Sequence, residues 1–475
     1  MNLIEDVLER FPASTPALLA ISREGERRIW HFGELIAISA GLSGAFAARG
    51  VGRGDVVMTL VGNRVEWVLA MLACWRMGAV ALPCNTQLRR KDLEHRVAVA
   101  DPVLCVGEEE LLGELPGGIA CMTVAEVAAV LDEDRPQERP AAVAELSPED
   151  PALIVFTSGT TGEPRAALHA QRYLLGNRVQ AEHWLGARKG ELVWCTTATG
   201  WSKSARNVFV APWLRGAAAL LEDRRFDPAA RLATAAREGV NVLCMAPTEY
   251  RAVAKRTELR PLPALRHAVA AGEPLDPATV ETWREGTGVE IHDGYGQTET
   301  GALTGMPLGS ALRPGSMGRP LPGFGVWVAG GELCADPASV PTFFLDAPRD
   351  RPWPTGDRVR EDEDGYLWFE GRTDDVIISS GYRIGPFEVE SALGSHPAVA
   401  EAAAVAAPDE LRGSVVRAVV VLRGGERPSD ELARALQDHV KDRTAPYKYP
   451  RIVEFAAALP KTVSGKVRRA ALRGD

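Results

Sequence analysis

The sequence predicts an α/β protein with a large N-terminal domain of layered β–α subdomains, a small β-rich subdomain and a small α+β C-terminal domain. Helical stretches alternate with short apolar runs up to about residue 300, a pattern typical of parallel sheets covered by helices. Glycine- and proline-rich short strands follow Gly309, and the pattern changes again after residue 375. With 475 residues and 46% apolar content, the chain is long enough to build more than one core.

The predicted β–α elements fall into two series. The first runs from Trp30 to about Val106 and includes residues 65–83, which are expected to form a buried helix followed by a short strand. The second follows residue 190 and ends in the strand VEIHDGYG, with a helix over 228–239 between its strands. Residues 108–150, rich in Glu, Ala and Pro, are expected to be a connector.

A separate α+β domain is predicted from residue 375 to the end. It starts with VIISSGYR, continues with a helix that Pro386 opens and that ends near Gly394, and includes the strands VAEAAAVAA and VVRAVVVLR. Ser429 is the expected N-cap of a further helix, because its hydroxyl can accept a bond from the first helical turn.

Charge and cysteine content narrow the function classes. The net charge of −9 and the pI of about 5.6 argue against a nucleic-acid partner, although a local basic groove remains compatible with a small polyanion. The start MNLIEDVLERF lacks the pattern of a signal peptide, and no apolar run predicts a membrane span. The seven cysteines form no CxxC pair, so a cytoplasmic location without a structural zinc site is expected. The sequence leaves both a monomer and a homodimer open.

The segment LIVFTSGTTGEPR, residues 153–165, has the chemistry of a phosphate-binding loop. A strand-like apolar run leads into glycines and hydroxyl side chains, and the segment ends in the cation Arg165. Glycines let backbone N–H groups converge on an anion, and hydroxyls add further donors. The spacing differs from that of a Walker A loop, and an ordinary strand-to-loop connection is the alternative interpretation.

The segment DGYGQTE, residues 293–299, could bind a nucleotide. Tyr295 can stack on a base, the neighbouring glycines allow close approach to the backbone, Thr298 can donate to a phosphate and Glu299 can hold Mg²⁺. A surface turn with an incidental tyrosine is the alternative. Asp357 in PWPTGDRV could accept bonds from ribose hydroxyls, with Arg372 nearby, but a lone TGD turn is more often structural.

Six segments, in this order, resemble the motifs of the adenylate-forming (AMP-binding) superfamily of acyl-CoA synthetases, adenylation domains and luciferases. They are TSGTTGEPR, AGEPL, GYGQTE, TGD, GRTDDVIISSGYRIGPFEVE and PKTVSGK, and together they cover nearly the whole chain. The likeness is greatest to medium-chain acyl-CoA synthetases, through TGWSKSARNVFVAPW, GYRIGPFEVESAL and TAPYKYPRIVEF. The resemblance implies an N-terminal domain over residues 1–372 and a mobile C-terminal domain over 373–475, with a hinge near Asp374.

The resemblance also implies an activity and its participants. A small carboxylic acid, medium-chain aliphatic or aromatic, would react with ATP and Mg²⁺ to give acyl-AMP and pyrophosphate, and the acyl group would then pass to coenzyme A. Lys466, Thr298 and Glu299 would be catalytic, with Glu299 as the Mg²⁺ ligand. The implied ATP- and AMP-binding residues are Thr157, Ser158, Gly159, Thr160, Thr161, Gly162, Arg165, Gly272, Glu273, Pro274, Asp293, Gly294, Tyr295, Gly296, Gln297, Thr298, Asp357, Arg372 and Lys466.

In this family the C-terminal domain rotates between the two half-reactions. The rotation would withdraw Lys466 and present the segment that contains Ser380, Gly381 and Tyr382. The implied residues for coenzyme A are Gln87, Ser380, Gly381, Tyr382, Arg412, Tyr447, Lys448 and Tyr449.

Two departures from the family pattern affect these expectations. Arg165 stands where the family usually has lysine, so ATP affinity is expected to differ while the charge is kept. Ala198 stands where relatives often have Asp before TGW, which alters the entrance for the acid. If residues 201–210 are helical, Lys203 and Arg206 share a face opposite the apolar one, which favours an uncharged acyl tail. The expected acyl-pocket residues are Trp201, Ala205, Val208, Thr248 and Gly294.

Two other functions stay open at the level of sequence. One is an adenylating enzyme that passes its acyl group to a carrier-protein thiol or to an amine. The other is a catalytically degenerate protein that binds nucleotide or acyl ligand without turnover. Arg412 and the segment TAPYKYP disfavour the first alternative, and retention of Glu299, Asp357 and Lys466 disfavours the second.

Overall fold

The structure, a computed structural model, describes residues 1–130, 139–157, 164–373, 375–379, 382–409, 412–462 and 466–473. Within these ranges the chain is a mixed α/β protein, which confirms the predicted fold class. In the described part of the chain, no helix combines the length and the apolar content needed to cross a bilayer.

Helices and strands alternate through the first part of the chain, as the apolar pattern predicted. Their bounds are α1 Leu3–Asp6, β1 Pro16–Ile21, β2 Arg27–His31, α2 Phe32–Ala48, β3 Val56–Leu60, α3 Val65–Met77, β4 Val80–Pro83, α4 Arg90–Ala100, β5 Leu104–Gly107, α5 Glu109–Leu112, β6 Ala120–Thr123, α6 Val124–Ala129, β7 Pro151–Thr157 and β8 Arg165–Ala170.

The alternation continues through the second series, and strands then predominate up to residue 372. The bounds are α7 Gln171–Gly176, α8 Arg178–His183, β9 Leu192–Cys195, α9 Ala211–Leu214, β10 Ala218–Glu222, α10 Pro228–Glu238, β11 Val242–Met245, α11 Pro247–Arg256, β12 His267–Ala271, α12 Pro277–Thr287, β13 Ile291–Gln297, β14 Gly301–Gly305, β15 Arg319–Pro320, β16 Val326–Ala329, β17 Glu332–Ala335, β18 Trp353–Glu361 and β19 Leu367–Arg372.

The C-terminal elements match the pattern predicted for this region. They are β20 Ile377–Ser379, β21 Tyr382–Ile384, α13 Pro386–Gly394, β22 Val399–Asp409, β23 Gly413–Leu422, α14 Asp430–Arg443, β24 Ile452–Phe455 and α15 Arg469–Arg473. The Ser429 hydroxyl accepts a hydrogen bond from the Leu432 N–H and caps α14 as expected. Strands β22, β23 and β24 form one sheet, and α13 and α14 share a core with it.

Two large sheets organise the residues before 321. One has the strand order β15-β14-β13-β12-β11-β9-β10-β1-β2, and the other has the order β6-β5-β3-β4-β7-β8. The central strands run parallel, whereas β2, β14, β15 and β8 are antiparallel at the edges. Strands β16 to β19 form a separate antiparallel sheet, which is the predicted β-rich subdomain.

The alternation of side chains along the strands builds a layered core. Leu18 lies in a core that draws residues from both large sheets and from α2 and α3, whereas the next residue, Leu19, faces α10 to α12 on the other side. Val57 and Met58 divide in the same way between the shared core and the core that contains α4 residues. Successive strand residues point to opposite faces, so each sheet is covered on both sides.

A glycine allows close backbone contact between loops of the two large sheets. Gly200, in the loop after β9, has φ +84°, and a Cβ there would lie 2.4 Å from the Asn85 backbone nitrogen, in the loop after β4. Only glycine allows this approach without moving the backbone. The carboxyl ends of both sets of parallel strands therefore face a common space.

Two local expectations are wrong. Residues 108–150 are not only a connector, because β6 extends the second sheet by pairing with β5; its half-exposed, four-residue pattern is too short to stand out in sequence. Residues 201–210 are not one regular helix. The helical turn starts only at Ser204, and residues Arg206–Val210 form a π-helix, which changes the direction in which each side chain points.

Candidate active site

A large cleft opens where the carboxyl ends of the parallel strands meet. Its volume is about 3670 Å³. It is lined by the residues that follow β4, β9, β11 and β12 and by the end of β13. Ligand sites of α/β sheets lie at this edge because loops from several strands converge there. Most of the described site residues predicted from sequence line the cleft, namely Gln87, Thr157, Arg165, Trp201, Thr248, Gly272, Glu273, Pro274, Asp293, Gly294, Tyr295, Gly296, Gln297, Thr298, Glu299, Asp357, Arg372 and Lys466.

The Asp357 carboxylate lies at the centre of a hydrogen-bonded network in the cleft wall. Its Oδ1 accepts a bond from Arg372 Nη1 at 3.1 Å, across the pairing of β18 with β19. Its Oδ2 accepts bonds from the Tyr295 hydroxyl at 2.5 Å and from Gln297 Nε2 at 3.0 Å. Burial raises the pKa of the Asp357 carboxyl, and the bond from Tyr295 and the charge of Arg372 oppose that rise.

The DGYGQTE segment forms the end of β13 and the turn that follows it. Burial, and then the charge of Asp357, raise the pKa of the Tyr295 phenol, so it stays a neutral donor to the carboxylate. At Gly296 a Cβ would lie 1.9 Å from the Gly301 carbonyl oxygen, which only glycine tolerates. Thr298 and Glu299 come next, in the turn between β13 and β14. Stacking of Tyr295 on a base, as the motif suggested, is compatible with its place in the cleft wall.

Lys203 is a cleft residue whose role the sequence analysis missed. Its ammonium group donates a hydrogen bond to the Ala271 carbonyl oxygen, next to Gly272. Its charge also acts on the buried Asp293 carboxyl, whose pKa burial raises and whose Oδ1 accepts a bond from the Gly294 N–H at 2.9 Å. Lys203 thus ties the loop after β9 to the ends of β12 and β13. The sequence feature that could have indicated this role is its position two residues after Trp201, a predicted acyl-pocket residue.

The loop after β12 holds a second acidic group. The Glu273 carboxylate accepts bonds from the Thr248 hydroxyl at 2.6 Å and from Arg251 Nη2 at 3.1 Å. Thr248, predicted for the acyl pocket, therefore has its hydroxyl directed to a residue that was predicted for the nucleotide. The structure brings the two predicted subsites together at this point.

Lys466 reaches the same cleft from the C-terminal part of the chain. The residue is exposed to the open cleft, but the protein atoms around its ammonium group partly remove it from water and lower its pKa. The charges of Glu273 and Asp357 raise that pKa, and those of Lys203 and Arg372 lower it further. These four groups belong to segments more than 90 residues away in sequence. Lys466 of the C-terminal part therefore faces the cleft wall that contains the Asp357 network.

Two family models match the chain, one described as AMP-binding enzyme over residues 4–340 and one described as AMP-binding enzyme C-terminal domain over residues 388–466. The chain belongs to the AMP-binding enzyme family.

Curated relatives and solved structures agree with this assignment. The chain is 38% identical to an uncharacterized acyl-CoA ligase, YtcI, of Bacillus subtilis (strain 168), with 99% of this chain and 95% of that protein covered. It is 37% identical to the human mitochondrial acyl-coenzyme A synthetase ACSM3, with 99% and 89% covered. The crystal structure of the anthranilate CoA ligase AuaEII with anthranoyl-AMP matches with a TM-score of 0.88 at 28% identity, covering 100% of this chain and 97% of that one. The resemblance seen in the motifs is confirmed.

Several residues predicted from this AMP-binding family lie outside the described part of the chain. They are Ser158, Gly159, Thr160, Thr161 and Gly162 in the phosphate loop, Asp374 at the expected hinge, and Ser380 and Gly381. The ends of the phosphate loop are described: Thr157 and Arg165 are register partners in the β7–β8 hairpin, and both line the cleft.

The described residues predicted for coenzyme A, apart from Gln87, lie outside the cleft of this AMP-binding enzyme. The exposed rings of Tyr382 and Tyr447 stack with centroids 4.3 Å apart and planes at 20°. Lys448 pairs with Glu388, and the ring of Tyr449 lies under the Lys441 ammonium group at 4.5 Å. The Arg412 backbone N–H donates to Asp409 Oδ1. None of these described residues lines the cleft in this arrangement.

The expectation for the acyl pocket needs a correction. Ala205 and Val208 do not line the cleft; they are 2% and 0% exposed and belong to the core shared by the two sheets. Lys203 and Arg206 line the cleft instead. The error came from assuming a regular helix over 201–210, whereas the helix starts at Ser204 and widens into a π-helix. The face that carries Lys203 and Arg206 therefore lines the cleft, and the apolar face packs in the core.

The environment of Lys466 predicts a pH dependence. If protonated Lys466 is needed for the first half-reaction, that rate falls as pH rises through the lysine pKa, and the lowered pKa places this fall at a lower pH than for an ordinary lysine. Replacing Lys466 with Arg should remove the fall, because a guanidinium stays charged over this range. The measurement is the rate of ATP–pyrophosphate exchange against pH. In the control Lys461→Arg, whose native lysine is paired with Glu401, the profile should stay as in the wild type; loss of the alkaline fall there would contradict the assignment to Lys466.

The position of Arg165, at the end of the predicted phosphate-binding loop, predicts that its substitution has a modest effect on ATP binding. Arg165→Lys should raise the KM for ATP by about 2- to 5-fold and leave kcat nearly unchanged, because a planar fork is exchanged for a point charge of the same sign. Initial-rate kinetics measure both constants. Arg225→Lys, on the cleft rim, is the matched control and should change neither. An unchanged KM in Arg165→Lys would show that the fork contributes nothing to ATP binding.

Proposed function

We propose that this chain is an ATP-dependent, AMP-forming acyl-CoA synthetase, which activates a medium-chain aliphatic or aromatic carboxylic acid and transfers the acyl group to coenzyme A. The observation that carries the proposal is the meeting of Lys466 with the Asp357 network in one cleft, beside the ends of β12 and β13. The names of two relatives, an acyl-CoA ligase and an acyl-coenzyme A synthetase, support the same reaction.

In the first half-reaction a carboxylate oxygen of the acid bonds to the α-phosphorus of ATP while the bond to pyrophosphate breaks. The poorly reactive carboxylate becomes a mixed anhydride whose leaving group is AMP. Negative charge accumulates on the α-phosphate, and the Lys466 ammonium group is suited to neutralise it. Lys203 adds a second cation on the side of Gly272. Holding the two reactants together in the cleft removes much of the entropic cost of the reaction.

The nucleotide is assigned to the wall around Asp357 and Tyr295. The Asp357 carboxylate can accept bonds from the two ribose hydroxyls if Tyr295 and Gln297 yield part of their contact with Oδ2. The Tyr295 ring and the backbone of Gly272, Glu273 and Pro274 are the faces between which the adenine would lie. Arg372 keeps the carboxylate oriented through Oδ1.

Glu299 fits the role of a Mg²⁺ ligand. It lies in the cleft at the turn after β13, and its carboxylate oxygen is a donor that Mg²⁺ prefers. Among the described residues, no group of three His, Cys, Asp or Glu side chains is placed to hold a metal. One carboxylate together with ATP phosphates and water is a usual Mg²⁺ environment, and the ion would neutralise phosphate charge there.

In the second half-reaction the thiol sulfur of coenzyme A bonds to the acyl carbon, AMP departs and the thiol proton is released. The proposal includes a rotation of the C-terminal part about Asp374 that replaces Lys466 by the segment with Ser380, Gly381 and Tyr382. The exposed stack of Tyr382 on Tyr447 and the nearby Lys448 offer an aromatic and cationic surface for the coenzyme. Arg412, Tyr449 and Gln87 complete the proposed set. Such rearrangements often limit turnover.

The proposal includes a cytoplasmic location and is compatible with a monomer or a homodimer. All seven cysteines are unpaired, which suits a reducing cytoplasm.

The proposed function is tested by pyrophosphate release with a panel of carboxylic acids, with and without coenzyme A. An acyl-CoA synthetase should turn over continuously with a suitable acid only when coenzyme A is present, and acyl-CoA should be detected by mass spectrometry. Turnover that depends instead on a carrier protein or an amine would replace this proposal by the first alternative. Pyrophosphate release with no acid of the panel would favour a degenerate binding protein.

The role of Lys466 is tested by separating the two half-reactions. Lys466→Ala should slow ATP–pyrophosphate exchange by roughly 10²-fold or more, because a preorganised charge on the α-phosphate is lost. Conversion of supplied acyl-AMP and coenzyme A to acyl-CoA should stay close to the wild-type rate. Lys461→Ala, five residues earlier, should retain both activities. Normal exchange by Lys466→Ala would contradict the assignment.

A further inference from the structure

Arg469 is a partly buried arginine three residues after Lys466, at the start of α15. Its Nη2 donates to both carboxylate oxygens of Glu390, each at 2.8 Å, and its Nη1 lies 3.5 Å from Asp375 Oδ2. Burial alone would lower the pKa of the Arg469 guanidinium, but the charge of Glu390 and the hydrogen bonds to it raise that pKa. Arg469 therefore stays charged and is bound between two carboxylates.

Both carboxylates connect Arg469 to other parts of the chain. Glu390 lies in α13, and its Oε1 also accepts a bond from a backbone N–H of β22 at 2.8 Å. The Asp375 N–H donates to the Arg372 carbonyl oxygen at 3.1 Å, and Asp375 Oδ1 accepts a bond from Arg473 Nη1 at 2.7 Å. Arg469, Glu390, Asp375 and Arg473, named here the Arg469 brace, thus join α15 to α13 and to the residues just after β19.

The backbone of Lys466 is held by a short turn and by α15. The Lys466 carbonyl oxygen accepts a bond from the Thr462 N–H at 2.8 Å, and the Lys466 N–H donates to Thr462 Oγ1 at 3.2 Å. Lys461 and Val467 pair as an antiparallel bridge across the same turn. Helix α15 has five residues, none of them fully buried, and a helix of this length is not stable by itself. Its direction, and with it the position of Lys466, must therefore be set by tertiary contacts.

The polar brace gives these tertiary contacts a defined geometry. Val467 and Leu472 are only partly buried, against a small core that contains Leu459. Apolar contacts of this kind are not directional, whereas charge-assisted hydrogen bonds from one guanidinium to two carboxylates fix angles as well as distances. A displacement of about 1 Å from the reacting geometry can cost roughly 10²-fold in rate. The brace is therefore placed to control how accurately Lys466 reaches the cleft.

We propose that Arg469 is a positioning residue for the first half-reaction. By pairing with Glu390 and Asp375 it orients α15, and α15 holds the turn from which the Lys466 ammonium group faces the Asp357 network. This role rests on the proposed function, in which Lys466 acts on the α-phosphate in the first half-reaction only. Arg469 acts through Lys466 and not on the reactants. Loss of the brace should therefore slow adenylation more than thioester formation.

The test measures the two half-reactions separately in Arg469→Met. The kcat for ATP–pyrophosphate exchange should fall by about 10- to 10²-fold, because Lys466 is no longer held at the cleft wall. The KM for ATP should change by less than about threefold, since the nucleotide wall around Asp357 is intact. Conversion of supplied acyl-AMP and coenzyme A to acyl-CoA should stay within about threefold of the wild-type rate. The deciding quantity is the ratio of the two rates, measured at a temperature at which circular dichroism shows that the variant is folded.

Two further variants relate the effect to the ion pairs. Arg469→Lys keeps the charge but loses the planar guanidinium, so it should retain part of the exchange rate. Glu390→Gln removes the carboxylate charge and should slow exchange in the same direction. Combined with Arg469→Met, Glu390→Gln should add little further loss, because both changes break one contact.

Arg313→Met is the matched control. Arg313 also pairs with two carboxylates, those of Asp362 and Asp364, but it lies between β14 and β15 and does not line the cleft. Any loss of stability in Arg313→Met should leave the ratio of the half-reaction rates unchanged. This control separates the loss of an ion-paired arginine in general from the loss of the one that holds Lys466.

The outcomes distinguish this role from the function on which it rests. Equal losses in both half-reactions, with Arg469→Met still folded, would overturn the inference and make Arg469 a structural residue only. Normal exchange by Arg469→Met would overturn it as well. If the proposed function fails instead, the wild type will release no pyrophosphate with any acid of the panel, or Lys466→Ala will retain normal exchange. A selective loss of exchange in Arg469→Met, with partial recovery in Arg469→Lys and an unchanged ratio in Arg313→Met, supports the inference.

Discussion

The site depends on a buried carboxylate, Asp357, and on the donors that hold it. Arg372 fixes one oxygen from the neighbouring strand, while Tyr295 and Gln297 fix the other from a different sheet. This network therefore joins the β-rich subdomain to the large nine-strand sheet of the described chain. A carboxylate buried without such donors would be protonated or would disrupt the wall, as the raised pKa of Asp357 indicates. The same donors keep an acceptor ready for hydroxyl groups of a ligand.

The cleft around this network contains an excess of cations within an acidic protein. Lys203, Arg372, Lys466 and Arg206 all face it, although the formal net charge of the chain is −9. Local charge, and not the total, determines which ligands a cleft can hold. For a reaction between ATP and a carboxylate, both anionic, cations on the walls are needed to bring the reactants together.

Close backbone approaches make this arrangement possible. Gly200 brings the loop after β9 against the loop after β4, and Gly296 lets β13 approach β14 to a distance that excludes a Cβ. The two sheets can therefore share a core and still expose their carboxyl ends to one space. Helices packed between and outside the sheets support the walls of the cleft. Lys466 of the C-terminal part lies at the same cleft.

The sequence alone determined the fold class, most of the elements and the family, because apolar alternation and ordered motifs are local properties of the chain. Segments such as DGYGQTE and TGD also pointed to Tyr295 and Asp357, which the structure places in hydrogen-bond contact. Other features depend on contacts between distant residues and needed the tertiary structure. Residues 120–123 became a strand only by pairing with β5, and the π-helix at 206–210 reversed the expected orientation of Arg206 and Val208. Whether a buried arginine is paired is decided by the residues that fold around it, so only the tertiary structure shows that Nε and Nη1 of Arg206 have no acceptor among the described residues.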